Sequence, residues 1–383
     1  MSRFALTGAK LVARNAVLEG HAVLVSGGRI VNVIPEEDMP SGIPHIDLSG
    51  GWLLPGFIDT QVNGGGDVLF NENPTVGGVQ SIARAHRRFG TTGLLPTLIS
   101  DDPHVIEAAL DAVDQAIEQN TPGVLGIHVE GPHLNPDKRG IHDASKFTLI
   151  DDAVIDRLTR PTKGVRLVTI APELAPRGAI RRLVEGGVVV AAGHSMAGYD
   201  RTVAALSEGL SAFTHLFNAM TQLGSREPGM VGAALEDRRS SFGLIVDGWH
   251  VHPATMRLAL AARGVSGVML VTDAMPPVGG AAVHFDLMGR SIEVRDGACR
   301  GPDGTLAGSA LSMIQAVRNA WDWLGHTLTD VSQMASANPA SLLGIDREVG
   351  TLAEGYRADL VHLDHNRRVV RTWIAGEVSE QGE

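Results

Sequence analysis

The chain has 383 residues, of which 32 are Lys or Arg and 43 are Asp or Glu, and its formal net charge is −11. Hydrophobic residues make up 44% and charged residues 20%, which is typical of a globular protein with a large core and excludes a disordered or collagen-like chain. The acidic balance argues against nucleic acid as a partner, because phosphate backbones are bound by clustered Lys and Arg. The single cysteine, Cys299, excludes an internal disulfide framework and a cysteine-based zinc cage.

The hydrophobic runs are short throughout the chain. No stretch approaches 18 uninterrupted apolar residues, and the first segment, MSRFALTGAKLVARN, lacks the apolar run of a signal peptide. We therefore expect a cytoplasmic protein with no membrane partner.

The two ends of the chain are predicted to form one small β domain. Residues 1–52 contain short β-like runs such as AVLVSGG and RIVNVI, separated by Gly and acidic turns. Residues 345–383 are similar, with VGTLAEGYRADLVHLD followed by RRVVRTWIAGEV. Because each flank is too short to form a stable sheet alone, we expect one small β-sandwich built from both ends, with a large domain of residues 53–344 between them.

Between the flanks, short apolar strands alternate with helical segments, which indicates βα units and a parallel sheet. The predicted strands are Gly56–Gln61, Thr92–Thr97, Val124–Glu130, Arg166–Ala171, Val188–His194, Ser211–His215, Gly243–Asp247 and Val268–Asp273. The predicted helices include Pro103–Gln119, Arg177–Glu185, Tyr199–Ser207 and Pro253–Ala262. Eight such units predict an α/β protein with a (β/α)8 TIM barrel, which typically needs about 250 residues. An open doubly wound sheet is the competing layout, but no GxGxxG motif opens a helix.

A long Gly-rich run follows the eighth predicted strand, from Pro276 to Leu306. It contains the β-like segments HFDLMG and SIEVRDG, and we predict that it forms a hairpin insertion over the barrel mouth. Cys299 lies in this insertion and gives no reason to invoke catalysis.

Polar side chains end several predicted strands, where TIM barrels carry their catalytic groups. Glu130 ends the third strand, His194 the fifth and His215 the sixth. A lone His at such a place is more often a hydrogen-bonded structural residue. Two His and one Glu at one barrel mouth, however, form the ligand set of a catalytic divalent metal that keeps a fourth position for water. The set suits Zn²⁺, and Fe²⁺, Co²⁺ or Mn²⁺ would fit the same ligands.

Asp273, which ends the eighth strand, is the predicted proton carrier. A metal lowers the pKa of its bound water to about 7, and a nearby carboxylate must take the proton and return it to the leaving group. The alternative is that Asp273 caps the following segment. His128 points the same way as Glu130, and filling the barrel layer is favoured over a role in the site. We set aside nucleophilic catalysis by Ser195, because adjacent strand residues face opposite sides and no GxSxG motif is present.

Eight segments follow one another in a recognisable order. They are LPGFID (54–59), HVEGPHLNPDKRGIH (128–142), AAGHS (191–195), THLFNAM (214–220), REPGMVG (226–232), VDGWHV (246–251), LVTDAM (270–275) and GTLAEGYRADLV (350–361). Together they resemble the N-acetylglucosamine-6-phosphate deacetylases of the amidohydrolase superfamily, over essentially the whole chain. The resemblance implies metal-dependent hydrolysis of N-acetyl-D-glucosamine 6-phosphate to D-glucosamine 6-phosphate and acetate, in amino-sugar catabolism or cell-wall recycling.

The resemblance also implies roles for individual residues. Asp273 would be the general base and then the acid, and His250 would hydrogen-bond the substrate near its acetamido group and help to polarise the carbonyl. Further substrate contacts are implied for Ile141, His142, Asn218, Ala219, Arg226, Leu306, Ala307 and Gly308. Of these, His142, Asn218, Ala219 and Arg226 resemble positions that grip the 6-phosphate. Some phosphate contacts of the family cross a dimer interface, so Arg226 implies a homodimer; from the residues alone, Arg226 also fits a solvated loop.

One departure from the superfamily pattern concerns the number of metal ions. Most members carry His-x-His at the end of the first strand and bind a second ion there, whereas this chain has Gln61 and Asn63, which are poor ligands. The resemblance therefore implies one divalent ion per chain.

Three alternatives stay open at this point. A deacetylase for another acetamido sugar phosphate would use the same fold, and so would a cyclic-amide hydrolase, although the missing His-x-His argues against the latter. The third is a catalytically inactive barrel that serves as a binding protein. Such a protein would be expected to have lost ligands, whereas Glu130, His194, His215 and Asp273 are all present.

Overall fold

The structure, a computed structural model, describes residues 3–379 and is built around eight parallel strands that lie in one sheet in chain order. The strands are β1 Phe57–Val62, β2 Thr91–Ile99, β3 Gly126–Glu130, β4 Val165–Ile170, β5 Val189–Ala192, β6 Ala212–Phe213, β7 Ser241–Ile245 and β8 Val268–Val271. The sheet closes where Val62 pairs in parallel with Ala274, just beyond β8. The predicted TIM barrel is thereby confirmed.

One α-helix follows each barrel strand, and two short helices extend the last connection. The helices are α1 Val76–Arg87, α2 Pro103–Glu118, α3 Asp152–Thr159, α4 Ala179–Glu185, α5 Tyr199–Ser207, α6 Gly229–Glu236, α7 Pro253–Arg263, α8 Met313–Trp323, α9 Leu328–Ser332 and α10 Asn338–Leu342. A π-helical turn, Gln333–Ala337, joins the last two. Pro103 and Pro253 each occupy the first turn of a helix, where the missing N–H costs no intrahelical bond. Within residues 3–379, no helix has the length and apolar character needed to cross a bilayer.

Short elements complete the connections between barrel strands and helices. Within residues 3–379 these are the 3₁₀ turns Pro136–Lys138, Ala144–Lys146 and Pro172–Leu174 and the two-stranded ribbon of Gly64–Gly65 with Val68–Leu69. A further 3₁₀ turn, Glu36–Asp38, lies in the small β domain.

The two ends of the barrel interior differ in polarity. At the end where the strands begin, Ile58, Leu95, Leu167 and Ala212 form an apolar cluster that α10 covers with Ala340. At the opposite end many of the buried residues are polar, and they include Glu130. Because apolar side chains fill one end and the helices cover the outside, the polar mouth is the place where this barrel can bind a solute.

Both chain ends contribute to a small β-sandwich. One sheet contains Arg3–Thr7, His21–Ser26, Arg29–Pro35 and His45–Asp47; the other contains Lys10–Val12, Val17–Leu18, Trp52–Pro55, Leu360–Leu363, Val369–Ile374 and Glu377–Val378. Leu6, Val23, Leu53, Leu360 and Trp373 pack between the sheets. The predicted sandwich of both ends is confirmed, and the boundaries at 52/53 and 344/345 stay predictions.

The insertion after β8 is larger than the hairpin expected from the sequence. It forms a four-stranded antiparallel sheet of His284–Leu287, Arg290–Arg295, Ala298–Arg300 and Leu306–Ser309. Its last strand reaches back to the barrel, because Ser309 bridges to Ala274. Its apolar face, with Ile292 and the buried Cys299, packs on Ile99 and Met275 at the barrel mouth.

Candidate active site

Three strand ends at the barrel mouth adopt left-handed backbone conformations. His194, His215 and Asp273 have φ angles of 48°, 31° and 52°. Non-glycine residues rarely occupy this region, which costs of order 1–3 kcal/mol, and such residues cluster at functional sites. The surrounding structure therefore holds these three residues against their backbone preference at the point where the chain leaves the barrel.

Glu130, His194 and His215 converge at the centre of the mouth. The Nε2 atoms of His194 and His215 lie 3.2 and 3.1 Å from Oε1 of Glu130 and 3.0 Å from each other. All three residues are buried, and their potential ligand atoms lie within 4.8 Å of one another. Two imidazole nitrogens and a carboxylate oxygen that face one point fit a divalent cation, whose charge offsets the repulsion between their lone pairs.

The contacts within this cluster shift the pKa values of its members. Burial raises the pKa of Glu130, but hydrogen bonds and charge from His194 and His215 outweigh it and hold the pKa well below its usual range. Burial lowers the pKa of His215, but the Glu130 carboxylate beside it raises the pKa above its ordinary value. The ionised carboxylate thus favours positive charge at the His215 ring.

The His194 ring is oriented from outside the cluster. Its Nδ1 lies 2.8 Å from the carbonyl oxygen of Lys138, so Nδ1–H donates to that oxygen and Nε2 faces Glu130. Metal-ligating histidines are commonly fixed in this way by a carbonyl behind the ring. The loop that follows β3 therefore sets the tautomer of a residue that lies just beyond β5.

The amide side chains of Gln61 and Asn63 contact the carboxylate of Asp273. Nε2 of Gln61 donates to Oδ1 of Asp273 at 3.2 Å and to Oε1 of Glu130 at 3.2 Å. Nδ2 of Asn63 donates to the same Oδ1 of Asp273 at 2.6 Å. Within residues 3–379, no hydrogen-bond partner is found for the other oxygen, Oδ2. Gln61 therefore links the two carboxylates, and both amides donate to Oδ1 of Asp273 rather than to Oδ2.

Asp273 has a raised pKa. Burial is the main cause, followed by the negative charge of Glu130, whereas His215, His250 and the hydrogen bond from Asn63 lower the pKa. A carboxyl with a raised pKa is suited to hold and release a proton.

A cavity of about 230 Å³ opens above the cluster. Its wall contains Asn63, Ile99, Glu130, Gly140, Ile141, His142, His194, His215, Asn218, Ala219, His250, Asp273, Met275, Thr305, Leu306 and Gly308. The structure thus brings together nearly all residues singled out from the sequence. Ala307 is fully buried and does not line the cavity, and Arg226 is exposed and lies outside it. The roles of these residues stay predictions.

The resemblance places His142 at the phosphate, where a positively charged ring would be expected. In the structure, the surroundings of His142 favour a neutral ring instead. His142 is 2% exposed, and the hydroxyl of Ser100 lies 2.8 Å from its Nδ1. Burial, with the neighbouring His194 ring, lowers its pKa to about 3, so His142 is neutral. It therefore meets a ligand as a neutral hydrogen-bonding group.

His128 lies below the cluster and does not line the cavity. Its Nδ1 lies 3.1 Å from the carbonyl oxygen of Thr60, and its Nε2 lies 2.7 Å from the hydroxyl of Thr169. Burial lowers its pKa to about 4. These contacts agree with the prediction that His128 fills a barrel layer.

Several groups at the mouth were not assigned a role from the sequence. Asp247, which ends a predicted strand, lies 2.6 Å from the ring of His250. Gln61 and Asn63 were considered only as missing ligands. The apolar wall residues Ile99 and Met275 carry no chemical signal, although both lie beside strand ends that were identified.

Comparison with known proteins agrees with this geometry. Residues 52–379 match the amidohydrolase family, and residues 3–53 match the NagA composite domain. The chain belongs to the amidohydrolase family. The N-acetylgalactosamine-6-phosphate deacetylase of Shewanella sp. (strain ANA-3) is 43% identical, over 98% of this chain and 96% of the relative. The N-acetylglucosamine-6-phosphate deacetylase of Homo sapiens is 36% identical, over 97% and 94%.

A solved structure of this amidohydrolase group has nearly the same fold. The crystal structure of N-acetylglucosamine-6-phosphate deacetylase from Pasteurella multocida superposes with a TM-score of 0.95 at 34% identity, covering 98% of this chain and 99% of the other. The family resemblance predicted from the motifs is confirmed.

Proposed function

We propose that this amidohydrolase is a metal-dependent deacetylase that hydrolyses the acetamido group of N-acetyl-D-glucosamine 6-phosphate to D-glucosamine 6-phosphate and acetate. We place the reaction in amino-sugar catabolism or cell-wall recycling. The observation that carries the proposal is the Glu130–His194–His215 cluster, which lies at one cavity with Asp273, the proposed proton carrier. The names of the full-length relatives support the substrate.

Glu130, His194 and His215 would hold one divalent ion, with Zn²⁺ as the first expectation and Fe²⁺, Co²⁺ or Mn²⁺ as alternatives. When bound, such an ion polarises a carbonyl group and lowers the pKa of water. Gln61 and Asn63 support a single ion, because their NH₂ groups point at carboxylates and an amide nitrogen is not a ligand.

The side chains present supply the proton transfers. Oδ2 of Asp273 accepts a proton from the attacking water, and the new C–O bond forms at the acetyl carbon. Asp273 then returns this proton to the sugar nitrogen as the C–N bond breaks, so that acetate and the amine leave. Gln61 and Asn63 hold Oδ1 throughout, which directs the transfer to Oδ2.

The phosphate contacts are proposed at the rim of the cavity. Asn218, Ala219 and His142 lie in its wall, where they would bind the 6-phosphate through polar groups. Arg226 is exposed and lies outside the cavity of its own chain, which is consistent with a contact to a second copy. A homodimer, the zinc ion and a cytoplasmic location are proposals from the sequence.

N-Acetyl-D-galactosamine 6-phosphate is the second candidate substrate. The Shewanella N-acetylgalactosamine-6-phosphate deacetylase is 43% identical to this chain, compared with 36% for the human N-acetylglucosamine-6-phosphate deacetylase. The two sugars differ only in the configuration at C4, so the acetamido group and the phosphate can occupy the same positions.

The test is a comparison of kcat/KM for both phosphorylated sugars and for their unphosphorylated forms, measured as free amine released by protein of known metal content. We expect both unphosphorylated sugars to be at least about 100-fold poorer substrates, because a phosphate–cation contact of about 3 kcal/mol is lost. A preference for N-acetylgalactosamine 6-phosphate would select the second candidate. No hydrolysis of any of the four sugars by metal-loaded protein would overturn the proposed substrate class.

A further inference from the structure

His250, which faces the cavity, is held by a carboxylate three residues earlier in the chain. Oδ2 of Asp247 lies 2.6 Å from Nδ1 of His250, and both side chains are almost completely buried. Oδ1 of Asp247 accepts two further hydrogen bonds, from the backbone N–H of Trp249 at 2.8 Å and that of His250 at 2.9 Å. Oδ1 of Asp247 therefore stabilises the turn after β7, and Oδ2 fixes the orientation of the His250 ring.

Because Asp247 is ionised, it is the acceptor in its hydrogen bond with His250. Burial raises its pKa, but the hydrogen bond and charge of His250, with the two backbone N–H groups, lower the pKa below its ordinary value. An ionised carboxylate can only accept, so Nδ1–H of His250 is the donor. His250 lines the cavity, and within residues 3–379 no hydrogen-bond partner is found for its other ring nitrogen, Nε2.

The protonation state of the ring decides what Nε2 can do. With Nδ1–H committed to Asp247, a neutral ring has a lone pair at Nε2 and can only accept a hydrogen bond, whereas an imidazolium donates one. A carbonyl oxygen that gains negative charge during hydrolysis needs a donor. The carboxylate of Asp247 fixes the ring orientation through its 2.6 Å contact and places a negative charge beside Nδ1.

We propose that Asp247 is a positioning residue: it turns Nε2 of His250 towards the substrate and stabilises the protonated ring that donates to the acetyl carbonyl oxygen. The inference rests on the proposed deacetylation. It adds a residue outside the cavity wall to the groups on which turnover depends.

Charged and titratable groups from several elements surround this pair. Asp273, across the cavity, is the other carboxylate whose charge interacts with His250. The thiol of Cys299 stays neutral, because burial, with Asp273 and Asp247, raises its pKa to about 12. The guanidinium of Arg300 lies 5.1 Å from the ring centroid of Trp249, on the insertion sheet. From behind, Nδ2 of Asn319 donates to the carbonyl oxygen of Val246 at 2.7 Å and fixes the start of the turn.

The chain contains a matched control for the backbone part of this arrangement. Oδ2 of Asp237 accepts hydrogen bonds from the backbone N–H of Arg239 at 3.2 Å and Ser240 at 2.7 Å, which repeats the spacing around Asp247. Asp237 holds no histidine ring. The difference between Asp247→Asn and Asp237→Asn therefore isolates the contact with His250 from the stabilisation of a turn.

The kinetic test compares these two variants with the unmodified, metal-loaded protein over pH 6–10. Asp247→Asn should lower kcat at least about tenfold with little change in KM, and the alkaline limb of its kcat/KM profile should move to lower pH or disappear. Asp237→Asn should leave kcat and KM within about twofold of the values of the unmodified protein. A profile for Asp247→Asn that superimposes on that of the unmodified enzyme would overturn the inference while leaving the proposed function intact.

A second measurement determines which ring nitrogen of His250 carries a proton, without any substrate. Because it uses protein with Asp247 in place, it can be made even if Asp247→Asn folds poorly. ¹⁵N NMR of protein labelled at its histidine nitrogens, with His250→Gln to assign the signals, should show Nδ1 of His250 protonated across the titration and only Nε2 losing its proton. A neutral His250 that carries its proton on Nε2 would overturn the inference, whatever sugar the enzyme accepts.

Discussion

Replacing Asn63 by Ala tests how the carboxylate of Asp273 is tuned. The substitution removes the donor that lies 2.6 Å from Oδ1 of Asp273, and Gln61 remains as the other donor to that atom. A hydrogen bond to a charged group contributes about 1.5–3 kcal/mol, and one pKa unit corresponds to about 1.4 kcal/mol. Because the lost bond favours the ionised form of a buried carboxyl, the pKa of Asp273 should rise by about one to two units.

The sign of the kinetic effect follows from the role of Asp273. The residue must be ionised to accept the proton of the water, so activity is lost when the pH falls below its pKa. In Asn63→Ala, the acidic limb of kcat should therefore move to higher pH by about one to two units, with the plateau at high pH largely kept. The assay is acetate release by metal-loaded protein between pH 5 and 9.

The control for this experiment is Asn71→Ala. Asn71 also donates its Nδ2 to a carboxylate, that of Asp101 at 2.9 Å, but it does not line the cavity. Its removal should leave the acidic limb in place. An acidic limb that does not move in Asn63→Ala, with metal content unchanged, would refute the assignment of this limb to Asp273.

Three further predictions concern single residues. Asp273→Asn should nearly abolish turnover, while metal analysis still finds the ion bound; a variant that keeps most of its activity would remove the proton-carrier role. Arg226→Ala should raise KM for the sugar phosphate at least about tenfold and leave the unphosphorylated sugar unchanged, whereas the equally exposed Arg239→Ala should change neither; equal effects of both would contradict a phosphate contact. Asp59 is fully buried, and burial raises its pKa to about 7, so its stabilising contribution is complete below about pH 4 and is lost as the pH rises through 7. In metal-free protein, the free energy of unfolding should therefore fall less over this range in Asp59→Asn, and an identical fall in both would contradict the burial argument.

The barrel and the positions of its functional groups could be predicted because they depend on local pattern. Parallel strands that are buried on both faces are continuous apolar runs, and a polar residue at the end of such a run is conspicuous, as Glu130 is after GIHV. Helix starts were also marked locally, and α5 spans Tyr199–Ser207 as predicted. The strand β6, with only two residues, is shorter than its sequence indicates, because the backbone turns left-handed at His215.

The contacts that tune the site could not be predicted, because they join residues that are far apart in the chain. Gln61 and Asn63 were recognised only as missing ligands; their roles as donors to Asp273 depend on the closure of β1 against β8. Asp247 and His250 are close in sequence, but whether the carboxylate holds the ring or faces solvent depends on the turn between them. The neutrality of His142 likewise results from burial that no local pattern shows.

The most direct test of the account is the return of metal to chelator-stripped protein, with acetate release from the phosphorylated sugar followed at each addition of Zn²⁺. The cluster of Glu130, His194 and His215 predicts that activity is absent at the start, rises linearly and levels off at one ion per chain. The variant His215→Gln should bind the ion weakly and remain inactive over the same additions. Activity that levels off only at two ions per chain, or that is complete before any metal is added, would contradict the account.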